Sequence, residues 1–237
     1  LNKVKIFQLS DIFKIGTDHT IRLSTEFRNS QFRLQGTDRE PADGDGLLQY
    51  DIYSVAGLWD WAITEKLNFS TAVRYDQLEL TRSGGLPAGI TFTNAAYDQT
   101  IKEVGLNAGL VWKPTGVDTL RFTVARGVDI PSLVEFGILF PVAPSPFGGS
   151  VFVAGDPATE ASSVWNYEID WDRRIDSLYS TFRLAAFYQE IKNQQFFSAS
   201  TTVAPPNIFS NLGNIGDSEA YGLEVSLQGE KDDTYWN

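Results

Sequence analysis

The sequence predicts an all-β fold, an antiparallel up-and-down barrel that crosses a membrane with its strands. Three observations predict it. Segments of the chain alternate apolar and polar residues. The connectors between them alternate short and long. The Trp and Tyr residues collect at the two ends of these segments.

The alternation is cleanest in WNYEIDWD (165–172), where Trp165, Tyr167, Ile169 and Trp171 interleave with Asn166, Glu168, Asp170 and Asp172. In an extended strand, successive side chains point to opposite faces, so one face is apolar and the other acidic. In a soluble sandwich the rings would be buried. In a membrane barrel they would meet lipid, and the acids would line a wet interior.

The same pattern recurs along the chain. Residues near 2–15 look extended but mix their faces. Ile21, Leu23, Thr25 and Phe27 alternate with Arg22, Ser24, Glu26 and Arg28. Val55, Gly57, Trp59 and Trp61 form a less regular stripe. Leu67 to Tyr75 and Val104 to Trp112 repeat it, followed by Leu120, Phe122 and Val124. After WNYEIDWD come Phe182, Leu184, Ala186 and Tyr188, then Tyr221, Leu223, Val225 and Leu227. The sum is about nine strands and no helix.

Short connectors fall near 15–20, 63–66, 114–118, 174–180 and 230–234. Long ones fall near 29–47, 83–98, 127–163 and 197–218. In an up-and-down sheet, alternate turns lie at the same end, so one end carries tight turns and the other long loops. Trp59, Trp61, Trp112 and Trp171 fall at the short-turn end, and Trp165, Tyr188 and Tyr221 at the long-loop end. Two levels of amphipathic rings match the girdles at the two lipid–water boundaries. A soluble core has no reason to sort its Trp by depth. The apolar stripes also carry small residues, such as Gly57, Ala108 and Ala186, which lipid tolerates and a packed core penalises. The opposite face collects Arg22, Glu26, Arg28, Arg74, Arg121, Glu168, Asp170, Arg183 and Glu224, read as lumen-facing.

Composition narrows the rest. The 237 residues hold 30 Asp+Glu against 19 Lys+Arg, which excludes nucleic acid as the main partner. With no Cys, disulfides and thiolate chemistry are excluded. No apolar run of about 18 residues predicts a transmembrane helix. The chain has no Met and opens without a signal-peptide pattern, so it reads as a mature or partial chain. No cofactor-binding loop is present.

Several stretches carry a resemblance. FTVARGVDIPSLVEFG (122–137) resembles the "SRGFRAPSLxEL" segment of TonB-dependent outer-membrane receptors. WNYEIDWDRRI (165–175), LAAFYQEIKN (184–193), NIGDSEAYGLEVSL (214–227) and IYSVAGLWDWAITEKLNFSTAVRYD (52–76) are similar to further strands of that family. They span roughly residues 50–230, in the family's order. The resemblance implies a larger, 22-stranded barrel of a Gram-negative outer membrane, filled by an N-terminal plug. It implies uptake of a scarce ligand such as an iron–siderophore complex, driven by the TonB complex through an N-terminal box, and no enzymatic activity. Residues 1–237 then form part of one barrel domain. The plug, the TonB box and the remaining strands lie outside this sequence. The family's segment before the W-N-Y-E strand reads here as AGDPATEASS (154–163), a departure. The implied partners are outer-membrane lipid, TonB and the small ligand.

The long loops are where such a barrel meets its ligand. Residues 127–163 hold Phe136, Phe140, Phe147 and Phe152 with Pro131, Pro141, Pro144 and Pro146, and residues 197–218 supply Phe209. Exposed rings suit stacking on a planar ligand; the alternative is packing against neighbouring loops. Arg126, with Arg39 and Arg82, is among the few loop cations. Pro131, which lacks an amide hydrogen, ends pairing after Arg126. Glu168, Asp170 and Asp172 meet the spacing of a glycosidase acid pair only because any i, i+2 strand pair does. His19, the only histidine, reads as an exposed turn residue. The run 38–46, with Asp43 and Asp45, lacks full calcium-loop spacing. Two rivals remain: a passive porin or adhesin barrel, and a soluble carbohydrate-binding sandwich.

Overall fold

A computed structural model describes residues 2–34, 46–85, 92–231 and 234–236. Its strands are β1 (Asn2–Ile15), β2 (His19–Leu34), β3 (Gly46–Thr64), β4 (Leu67–Ser83), β5 (Gln99–Trp112), β6 (Asp118–Asp129), β7 (Leu139–Pro144), β8 (Ser150–Ala154), β9 (Ser162–Ile175), β10 (Ser180–Ala204), β11 (Asn207–Lys231) and β12 (Thr234–Trp236). All belong to one sheet, ordered β1-β2-β3-β4-β5-β6-β9-β10-β11-β8-β7, with β12 beside the lower end of β11. Nine strands are long, and consecutive long neighbours are antiparallel. No second sheet stands among the described residues, so Trp165 and Trp171 are not enclosed in a sandwich.

The register fixes which side chains share a face. Directly paired residues in adjacent strands point the same way. Trp59 pairs Thr71, Thr71 pairs Ala108, Ala108 pairs Val124, and the row continues through Tyr167 and Tyr188 to Tyr221. The other parity carries Glu26, paired to Ser54, Asp76 and Glu103 in turn. Asp170 pairs both Arg121 and Ala185, and Ala185 pairs Glu224. Through the middle of the sheet, one face is therefore apolar and the other charged.

The outer apolar face has two edges. On β3 it runs from Tyr53 to Trp61, which at ~3.4 Å per residue and a tilt of ~40° spans roughly 21 Å of depth, close to the ~25 Å band of outer-membrane barrels. The row from Trp59 to Tyr221 crosses six inter-strand gaps of ~4.8 Å and, at that tilt, climbs about 18 Å. It joins the lower level of rings to the upper one. Above Phe27, Tyr53 and Tyr75 the outer face changes abruptly to a polar ladder. Asn29 Nδ2 donates to Asp51 (2.6 Å), Gln31 to Gln49 (3.0 Å) and Gln77 to Glu79 (3.0 Å).

The structure corrects three expectations. Residues 197–218 are not a long loop. β10 and β11 stay paired to a two-residue turn at Pro205-Pro206. The segment SASTTVA favours extended pairing, which satisfies its backbone groups better than an open loop would. A helix is present: α1 (Leu133–Gly137), five residues long. Ser132 caps it, its hydroxyl accepting from the Glu135 amide (3.4 Å) while Glu135 accepts from the Ser132 amide (2.7 Å). That reciprocal pair is the S-x-x-E capping box. His19 is not a free turn residue: pairing with Trp61 lays it against the indoles of Trp59 and Trp61, and Trp59 Nε1 donates to its Nδ1 (3.2 Å). Arg39, Asp43 and Asp45 lie outside the described residues.

Candidate functional site

The charged face is organised into two ion networks at different places on the wall. In the first, Glu26 lies almost fully enclosed and accepts from Gln8, with Arg28 at 3.2 Å and Arg74 at 3.9 Å. Arg74 also donates to Asp76 (2.9 Å) and Ser54 (2.8 Å). In the second, Asp172 receives Arg121 (2.6 Å) from β6 and Arg183 (2.8 Å) from β10. Glu168, Asp170 and Glu224 stand beside it on the same face, and Arg22 lies exposed below the first network. The first network cross-links β1, β2, β3 and β4, and the second β6, β9 and β10. Exposed Arg–carboxylate pairs contribute little to stability, so their importance lies in the polar lining they present.

The upper end of this face is not open. β6 leaves β5 after the Leu106–Arg126 pair but continues alongside β9 to Asp129. The Arg126 guanidinium fills the parting, donating to Glu103 (2.9 Å) and to the Val104 carbonyl. The chain then turns inward. Ile130 and Pro131 line a cavity of about 240 Å³ with Glu26, Arg28, Arg74 and Asp76. Leu133 and Phe136 of α1 bury against Leu48, Leu78, Leu80 and Tyr97. Leu48, Leu78 and Leu80 share the charged face's parity, so this apolar cluster sits inside the curve of the sheet. Phe136 has no exposed surface, and Tyr97 and Arg82 close the side, with Arg82 over the Tyr97 ring (5.6 Å) and bonded to Asn94 (2.5 Å). Burial pushes the Tyr97 hydroxyl above its ordinary range and lowers the Arg82 guanidinium from its own.

From α1 the segment runs back across the mouth. Gly155 donates to the Ile138 carbonyl (2.7 Å) and Asp156 to the Glu135 carbonyl (2.9 Å). β8 then pairs parallel with β11, and Phe152 stacks on Phe209 at 5.5 Å. Gln99 donates to the Pro157 carbonyl (2.8 Å), and Asn214 holds Glu160 through both its amide atoms. Residues 130–161 thus form a strap tied to β3 and β4 at one end and to β11 at the other. Beyond it, the Asn193 amide and Lys192 hold the Asp217 carboxyl below its usual range.

The loop rings therefore divide. Phe136 is buried, which corrects its placement as an exposed stacking ring: the capping box turns α1 so that Phe136 enters the apolar cluster. Phe209 is buried too, under Phe152. Phe140 and Phe147 are exposed. Arg126 is engaged in the wall. The sequence reading missed Gln8, Ser54 and Glu103 as partners of the charged face, although their strand parity matched their partners'. It also missed the S-x-x-E cap at 132–135. At the opposite end of the sheet, Trp171 Nε1 donates to Asp118 (3.0 Å), while Trp112 lies open on the outer face.

A family model described as TonB dependent receptor-like, beta-barrel, matches residues 3–237. Among solved structures, the ferric enterobactin receptor of Pseudomonas aeruginosa, a mutant in complex with enterobactin, superposes with a TM-score of 0.67 at 14% identity. It covers 98% of this chain and 34% of its own. The siderophore receptor PirA of Acinetobacter baumannii gives 0.64 at 14%, over 99% and 36%. The Serratia marcescens hemophore receptor HasR, bound to its hemophore and heme, gives 0.54 at 13%, over 100% and 40%. This chain spans about a third of such structures. No curated protein sequence matches it.

Proposed function

Because the chain belongs to the TonB-dependent receptor-like β-barrel family, whose members are outer-membrane receptors and transporters rather than enzymes, we propose that it forms a wall segment of a receptor that imports a scarce ligand, such as an iron–siderophore complex. One observation carries the reading: a single unclosed sheet with an apolar band of membrane height on one face and ion networks on the other. The apolar face meets lipid, and Trp59, Trp61, Trp112, Trp165, Trp171, Tyr188 and Tyr221 sit at its boundaries. The charged face meets a plug and water. The free edge of β1, and that of β11 between its β8 and β12 pairings, pair with further strands of a 22-stranded barrel, since unpaired backbone is not tolerated in hydrocarbon.

In this mechanism the ligand docks from the long-loop side, where Phe140 and Phe147 present their rings. The strap confines its route to the polar lining. TonB, acting on the plug, supplies the energy. No catalytic residue is needed, and no step consumes a chemical group of this wall. Uptake of radiolabelled ferric siderophore by cells grown under iron limitation tests the proposal. Uptake that needs both this receptor and an energised TonB complex supports it. Uptake that persists without TonB points instead to a passive porin.

A further inference from the structure

The outer face of β1 carries Phe7, Leu9, Asp11, Phe13 and Ile15. The register settles this: Phe7 pairs Phe27, Asp11 pairs Leu23, and Ile15 pairs His19. Phe27 marks the upper limit of the apolar band, and His19 touches the lower Trp residues. Asp11 is therefore about four residues from either limit, near mid-depth. Among the described residues it is the only carboxylic acid on the outer face between those limits. Leu23, opposite Asp11, leans over Gly57 on the side away from β1, its Cδ2 3.6 Å from where a Cβ would stand, and the hydroxyl of Thr25, the polar residue on that face of β2, donates to the Ser54 carbonyl (3.1 Å). Among the described residues the Asp11 carboxyl accepts only from the adjacent Ile12 amide (2.8 Å).

An ionisable residue at this depth is rare and costly unless something answers it. β1 is also one of the two open edges of the sheet. A strand paired to that edge lies ~4.8 Å away, well within reach of a long side chain. We propose that the strand completing the barrel beside β1 presents a Lys or Arg to Asp11 on the outer surface, so that the seam at β1 is fixed in register by a membrane-embedded ion pair. This rests on the reading of the sheet as part of a larger barrel. A one-residue slip would turn that cation to the opposite face, so the pair selects one register among those that backbone pairing alone permits.

The test uses the whole receptor that contains this chain, reconstituted in lipid, with Asp11→Leu and Asp11→Asn. A carboxyl facing lipid alone would be relieved by leucine, and the unfolding midpoint would rise. A carboxyl paired to a cation leaves that cation stranded when it is removed. The expected result is that Asp11→Leu lowers the midpoint, raising the unfolded-to-folded ratio roughly a hundredfold or more. Asp11→Asn should lie between. Replacing the matching Lys or Arg by leucine in the Asp11→Leu background should restore most of the loss. A raised or unchanged midpoint overturns the proposal. So does failure of every Lys and Arg on the adjoining strand to rescue, or a loss that disappears when the receptor is diluted in detergent, which would make a second molecule the partner. Energy-dependent ligand uptake by the unsubstituted receptor is scored separately. Its absence refutes the transport reading, while the sign of the midpoint shift decides this one.

Discussion

Replacing Phe136 by alanine removes the ring that anchors the strap inside the sheet. The side chain has no exposed surface and packs among Leu48, Leu78, Leu80 and Tyr97. Truncating a buried Phe costs about 3–5 kcal/mol. The capping box and the Gly155 and Asp156 hydrogen bonds survive the change, so the loss falls on the docking of α1 rather than on its formation. At about 1.4 kcal/mol per factor of ten, the undocked population of residues 130–138 rises by roughly two to nearly four powers of ten. Amide hydrogen exchange of the membrane-embedded receptor reads this directly. Protection should fall in 130–138 and stay unchanged in β9 and β10. Unaltered protection in 130–138 would show that the strap is held from elsewhere, and the anchoring argument would fail.

Other perturbations test other parts. Gly155→Val places a side chain against the α1 backbone, 2.6 Å from the Phe136 carbonyl carbon and 2.8 Å from the Glu135 oxygen, atoms that cannot yield. It should expose the strap to protease by at least the ~1–3 kcal/mol of an overpacked site, and a strap as resistant as before would refute the close approach. Asp172→Ala frees Arg121 and Arg183, but both are more than a third exposed. The stability loss should stay under about 1 kcal/mol, and a denaturation midpoint shifted much further would show a drier bore than the one described. Asp118 is held below the usual carboxylate range, by the Thr115 hydroxyl first and then by the Trp171 indole, with Arg173 adding to it. A depressed carboxyl stabilises the fold above its unfolded value of about 3.9, and that support is lost as pH falls through the folded value. Asp118→Asn should therefore flatten the thermal midpoint's decline below about pH 4; an unchanged acid profile contradicts it.

The strand parities were legible because period-two alternation reports a face directly, and the register gives Glu26, Arg74, Arg121, Asp170 and Glu224 one common parity. Connector ends were less legible. The alternation of apolar and polar side chains fades above the membrane, yet β10 and β11 keep pairing to Pro205-Pro206. The inward turn of 130–138 was hidden for a different reason. Phe136, Phe140 and Phe147 look alike in the sequence, and only the S-x-x-E cap, which sets the direction of α1, separates the buried ring from the exposed ones. Asp11 was legible only as a blurred pattern in residues 2–15. Its meaning required the register with β2.

The claim on which the account turns is that the apolar face meets hydrocarbon and the charged face meets water. The chain has no cysteine, so in a reconstituted receptor cleared of any cysteine elsewhere, single cysteines placed from Val104 to Val111 on β5 can carry nitroxide labels. The account predicts collision with oxygen peaking at 104, 106, 108 and 110, and collision with a water-soluble nickel chelate peaking at 105, 107, 109 and 111. The same phase for both reagents, or the reverse assignment, would contradict it.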